Sequence, residues 1–122
     1  MNTLQRTSIS HVSEKSSLSV NDIQWDCQQR VISIGRRMIK LTPAEYRLLA
    51  PLREGHPVTY SHLAMSAYGY ALDSKVREMM DKHIDRIRGK IEGSGVYVYC
   101  ILGYGYMLLP ATSREQSDRV AS

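Results

Sequence analysis

Phenylalanine is absent from the 122-residue sequence, and cysteine occurs only twice. Two cysteines are too few for the disulfide framework of a small secreted domain, so Cys27 and Cys100 are expected to be free, packed thiols in a reducing compartment. No apolar run approaches the roughly 18 residues that a membrane helix requires. The opening residues, MNTLQRTSISHVSEKSS, lack the apolar stretch of a secretory signal. The chain is therefore expected in the cytoplasm, with no membrane partner. His11, His56, His62 and His83 have no metal-ligand spacing with one another or with the cysteines. Neither cysteine has an evident base partner that would make it a nucleophile. Gly103-Tyr104-Gly105 follows a strand-like run but opens no helix, so it is not a phosphate loop. No enzymatic activity, metal or cofactor is expected.

What is present is ordinary globular protein: 43% hydrophobic and 23% charged residues, a net charge of +4 and a pI near 9.2. That balance suits an anionic partner without requiring one. Residues 1–20 contain six serines and no sustained periodicity, and are expected to form a flexible leader. Residues 111–122 are expected to form a flexible tail. Residues 21–110, with twelve basic and nine acidic side chains, make one domain of usual size.

The domain opens with strand chemistry. Asp22 to Asp26 alternates polar and apolar residues, Val31 to Ile34 is β-branched, and Met38 to Leu41 follows a turn through Gly35. Thr42-Pro43 then changes the period. Thr42 is a helix cap, Pro43 suits the first helical position and Glu45 the first turn. Pro51 lacks the amide that a helix would need, so the helix is expected to kink or end near Ala50. A second helix is expected from His62 to Tyr68, capped by Ser61 and stopped by Gly69. A third runs from Lys75 to Ile91, about 25 Å long, with Val76, Met79, Met80, His83, Ile84, Ile87 and Ile91 recurring at helical spacing. Two strands, Val96 to Leu102 and Tyr104 to Leu109, close the domain. The fold class is α+β: a winged helix-turn-helix with an N-terminal antiparallel sheet, three helices and a C-terminal β-hairpin wing.

The third helix carries six basic and three acidic residues between Lys75 and Lys90. A helix about 10–12 Å across fits a major groove about 12 Å wide, where lysine and arginine release phosphate counterions. The same charges also suit a merely solvated face. The element order and four motifs favour DNA. LTPAEYRLL, SHLAMSAYGY, DKHIDRIRGKI and ILGYGYML, at their spacing across residues 22–109, resemble the DNA-binding effector domain of OmpR/PhoB-type response regulators. The resemblance implies that the helix from Lys75 is the recognition helix and that the last hairpin is the wing. It also implies a four-stranded N-terminal sheet, one strand more than the three runs read above. Such domains usually follow a receiver domain. The twenty residues ahead of the domain are too few for one, so a stand-alone regulator is expected, with any control by phosphorylation coming from another protein.

DNA contacts are expected on Lys75, Arg77, Glu78, Lys82, Arg86, Arg88 and Tyr106, from the charged side and flanks of the third helix together with the resemblance. By the resemblance Lys82 falls where base edges can be touched and Arg86 and Arg88 where phosphate and groove contacts are made; Arg77, on the helix flank, is expected to meet a phosphate as well. Tyr106 can meet a phosphate or simply pack. His83, on the apolar stripe, is expected to pack with one polar edge exposed. Glu78 and Leu102 depart from the family pattern, in which the first position often holds a basic or neutral residue and the second an arginine of the wing. They either shift sequence preference or weaken binding. Tyr97, Tyr99, Tyr104 and Tyr106 either stack on bases or fill the core role left by phenylalanine. The leading expectation is a sequence-specific regulator of double-stranded DNA, with a homodimer on adjacent half-sites as a plausible arrangement. The alternative is a protein-interaction module that binds another regulator or RNA polymerase, with DNA affinity lost.

Overall fold

The computed structural model describes residues 19–111. Of the expected leader (1–20) and tail (111–122), residues 1–18 and 112–122 lie outside the described residues. Val20 is buried in the core, and Ser19 caps a short 3-10 turn over Val20–Asp22.

Strands β1 (Gln24–Asp26), β2 (Val31–Ile34) and β3 (Arg37–Lys40) form an antiparallel meander. Among the described residues this N-terminal sheet has three strands, not the four that the resemblance implied. Ile32 opposite Ile39 puts two apolar side chains on its inner face. Helix α1 (Pro43–Leu49) starts in a reciprocal cap: the Glu45 amide donates to the Thr42 hydroxyl, and the Thr42 amide donates to the Glu45 carboxylate. As Pro51 dictates, the α-helix ends at Leu49 and tightens into a 3-10 turn over Ala50–Leu52.

A two-residue strand, β4 (Val58–Thr59), precedes α2 (Tyr60–Tyr68). The cap of α2 is Thr59 rather than Ser61: its hydroxyl accepts from the His62 amide. Gly69 ends the helix in the left-handed conformation, its amide donating to the Ala64 and Met65 carbonyls. Helix α3 (Ser74–Ile91) begins where the Asp73 carboxylate accepts from the Val76 amide. Strands β5 (Val96–Ile101) and β6 (Gly105–Pro110) form the closing hairpin, and β4 pairs with β6 to give a second sheet ordered β4-β6-β5.

The core lies between the helices and both sheets. Leu48, Leu49 and Leu52 meet Leu63 and Ala64 from α2, Met80, Ile84 and Ile87 from α3, and Val98 and Leu108 from the hairpin, all buried. Each large apolar side chain buried this way stabilises the fold by about 1.5–3 kcal/mol. The cysteines correct the expectation of packed thiols: both are exposed. Cys27 sits in the turn after β1, and Cys100 lies near the outer end of β5.

Candidate nucleic-acid interface

Helix α3 divides its surface three ways. Val76, Met80, Ile84, Ile87 and Ile91 face the core. On the opposite side Lys75, Glu78, Lys82, Arg86 and Gly89 are exposed. Among the described residues, none of the four charged side chains in that stripe forms an ion pair. They follow one another at three- and four-residue spacing, so they stand in one row along the helix.

Two further cations of α3, Arg77 and Arg88, lie on its flank, against the hairpin, and are held internally. The Arg77 guanidinium sits 3.6 Å above the Tyr60 ring, and its Nε donates to Asp81 at 3.2 Å. The Arg88 Nε donates to the Val98 carbonyl at 2.9 Å, a second nitrogen reaches Asp85 at 3.4 Å, and the group lies over Tyr97 and Tyr106. Tyr106, only 3% exposed, donates its hydroxyl to Asp81 and packs edge-on against Tyr60. Of its two expected roles, packing is the one this geometry supports. Burial first, and then the Asp81 carboxylate, push the Tyr106 phenol well above its ordinary range. His83 is half-buried and shares a 2.8 Å hydrogen bond with the Tyr68 hydroxyl. Burial raises the Tyr68 phenol to about 12.

Asp81 therefore joins helix α3 to the closing hairpin, accepting from both Arg77 and Tyr106. It was not singled out from the sequence, although Arg77 and Asp81 at i and i+4 were a readable signal. Removing the hydroxyl tests this link. Tyr106→Phe is expected to destabilise the domain by about 1–2 kcal/mol, because the bond goes to a charged acceptor that is partly solvated. Asp81→Asn, which keeps an acceptor, should cost less. Urea unfolding of both variants measures the difference.

The other end of α3 is tied to the N-terminal sheet. Arg37 of β3 donates to the Glu92 carbonyl at 2.7 Å and to the Lys90 carbonyl at 2.9 Å. Lys90 in turn reaches Glu45 of α1 at 2.6 Å. Thus Lys90, like Arg77 and Arg88, is engaged within the fold, whereas the charged side chains of the outward row form no ion pair among the described residues. At the far end of the domain, the turn between β5 and β6 presents Leu102, 92% exposed, with Tyr104 beside it. Among the described residues no group of three His, Cys, Asp or Glu side chains is placed to hold a metal, and no helix is long and apolar enough to cross a membrane.

A three-helix core with a recognition-type third helix and a β-hairpin against its flank defines a winged helix-turn-helix. A family model described as "Transcriptional regulatory protein, C terminal" matches residues 35–108. The chain belongs to this family, the OmpR/PhoB-type DNA-binding domains of transcriptional regulators. No curated protein matches the sequence significantly. Among solved structures, the chain is similar to the DNA-binding domain of CpxR from E. coli, with 23% identity over 79% of this chain and 100% of that one, and a TM-score of 0.63. It is similar to the C-terminal DNA-binding domain of RstA from Klebsiella pneumoniae, with 23% identity over 79% and 90% of the two chains and a TM-score of 0.58. The DNA-binding domain of the response regulator AdeR, solved in complex with an intercistronic region, shares 23% identity over 74% of this chain and 95% of that one, at a TM-score of 0.58. At these identities the likeness establishes the fold.

Proposed function

We propose that this domain binds double-stranded DNA sequence-specifically, as a cytoplasmic transcriptional regulator, by laying the outward row of α3 in the major groove. The observation that carries the reading is the sorting of cations on α3. Arg77, Arg88 and Lys90 are engaged within the protein, whereas Lys75, Lys82 and Arg86 are exposed without an ion-pair partner among the described residues. Cations without an internal partner are free to meet phosphates, whereas those held by a carboxylate or carbonyl are already engaged. A module of this size covers little DNA, so two copies on adjacent half-sites are part of the proposal.

Selecting bound fragments from genomic DNA, then titrating at three salt concentrations, tests it. Arg86→Ala is expected to weaken binding to selected and random duplexes alike and to make the salt dependence shallower by about one unit of log–log slope. Lys82→Ala is expected instead to relax the preference at one base pair, by about 1–3 kcal/mol. If no fragment is enriched over competitor at moderate salt, the alternative gains. It is favoured by the exposed apolar tip at Leu102 and Tyr104, which suits contact with another regulator or with RNA polymerase.

A further inference from the structure

The outward row contains one side chain that a phosphate-binding surface would exclude. Glu78 is exposed, lies between Lys75 and Lys82, and pairs with neither. Asp85, the other exposed acid of α3, differs: it is bonded to Arg88 on the flank. A carboxylate in the row is repelled wherever it meets phosphate oxygens, so its place must be the middle of the groove, away from both strands' backbones. The dimensions agree. With the helix axis along the groove, Lys75 and Arg86 lie about 16 Å apart at the two ends of the row, where long side chains reach the phosphates as the groove curves away. Glu78 and Lys82 lie between them, about 6 Å apart, within two base-pair steps of about 3.4 Å each.

The base edges then select the partner. Guanine presents two acceptors in the major groove and thymine one acceptor and a methyl, so a carboxylate over either finds no donor. Adenine has an amino donor, but beside the N7 acceptor, which repels the carboxylate. Cytosine presents an amino group with no neighbouring acceptor on its own base. Lys82, an obligate donor, prefers the two acceptors of guanine. Resting on the proposed DNA-binding reading, we infer that Glu78 makes the domain specific for a half-site with a cytosine under Glu78 and a guanine, read by Lys82, within two steps of it.

The test is selection from a random duplex pool with wild type, Glu78→Gln and Glu78→Ala. Glu78 is exposed, so both variants should fold, which thermal melting checks. Wild type is expected to select a cytosine and a guanine at that spacing. Glu78→Gln should convert the one cytosine to adenine, which an amide reads through N6 and N7, and leave the flanking bases unchanged. Binding to the wild-type site should fall between about 5-fold and about 150-fold. Glu78→Ala should leave the position unselected. If the wild type selects a site and both variants select the same bases at every position, the inference is overturned while the proposed function stands. If the wild type selects nothing, the proposed function fails and this inference with it.

Discussion

Gly105→Ala is expected to destabilise the domain by about 3–5 kcal/mol, among the largest effects of any single methyl group in this fold. The reason is a close approach of backbones. A Cβ at Gly105 would lie 1.7 Å from the Val58 carbonyl oxygen, 2.7 Å from its carbon and 2.8 Å from the Thr59 Cα. None of these atoms belongs to a flexible side chain, so β4 itself would have to leave. Thr59 is both the partner of Gly105 in the sheet and the cap of α2, and the next amide, of Tyr60, donates to the Tyr104 carbonyl. Moving β4 therefore loosens the start of α2 and the base of the wing together. Gly103→Ala is the natural comparison. Gly103 has φ of +75° but nothing within 4 Å of a Cβ, so its cost is the left-handed conformation alone, about 1–2 kcal/mol. Urea unfolding midpoints of the two variants should separate clearly. Equal midpoints would mean that β4 and β6 do not approach as closely as described.

Lys90→Met should be nearly as costly, and its cost should depend on pH. Glu45 is 1% exposed, while Lys90 is partly solvated. Burial raises the Glu45 carboxyl, but the hydrogen bond and charge of Lys90, together with the amide and hydroxyl of Thr42, outweigh it and leave the group below its usual range. A group lowered in the folded state stabilises the fold above its unfolded pKa, and that contribution disappears as pH falls through the folded value. Without Lys90 its hydrogen bond and charge no longer offset burial, and the folded carboxyl moves up. The variant thereby loses stabilisation that the wild type draws from ionisation of this group. The loss at neutral pH is expected near 3 kcal/mol, the lower end for a broken buried pair because the ammonium is partly exposed. It should shrink as pH falls through the carboxyl's unfolded value and then through its lowered folded value, below which the group is protonated in both states. Glu45→Gln combined with Lys90→Met should recover most of the loss, since a neutral amide can still accept from the Thr42 amide. Denaturant titrations at neutral and acid pH provide the measurement, and a pH-independent difference would refute this account of the pair.

Much of this architecture is legible in the residues, because it rests on local chemistry. Thr42-Pro43 with Glu45 specifies the start of α1, Pro51 its end, and the spacing from Val76 to Ile91 specifies α3 and its buried face. What escapes is either too short to have a period or too distant in sequence. Val58 and Thr59 are only two residues, and their strand exists because β6 lies alongside. Thr59 then outcompetes Ser61 as the cap because that pairing fixes where the helix can begin. The outward position of Lys75, Glu78, Lys82 and Arg86 follows from periodicity. The internal engagement of Arg88 with Val98, or of Arg37 with carbonyls more than fifty residues away, does not. A family likeness marks cationic positions without distinguishing those held inside the fold from those left free.

The fastening of α3 at both ends has a thermodynamic consequence. Asp73 fixes its first turn and Arg37 its last carbonyls, so the helix axis and rotation are set before any ligand arrives. A surface already in its bound backbone conformation loses little chain entropy on association. The ordering cost then falls on the long side chains of the outward row, each with roughly 2 kcal/mol of rotamer freedom. Heat-capacity changes measured on association would accordingly report on the displacement of water from this row and from its ligand, not on folding of the domain.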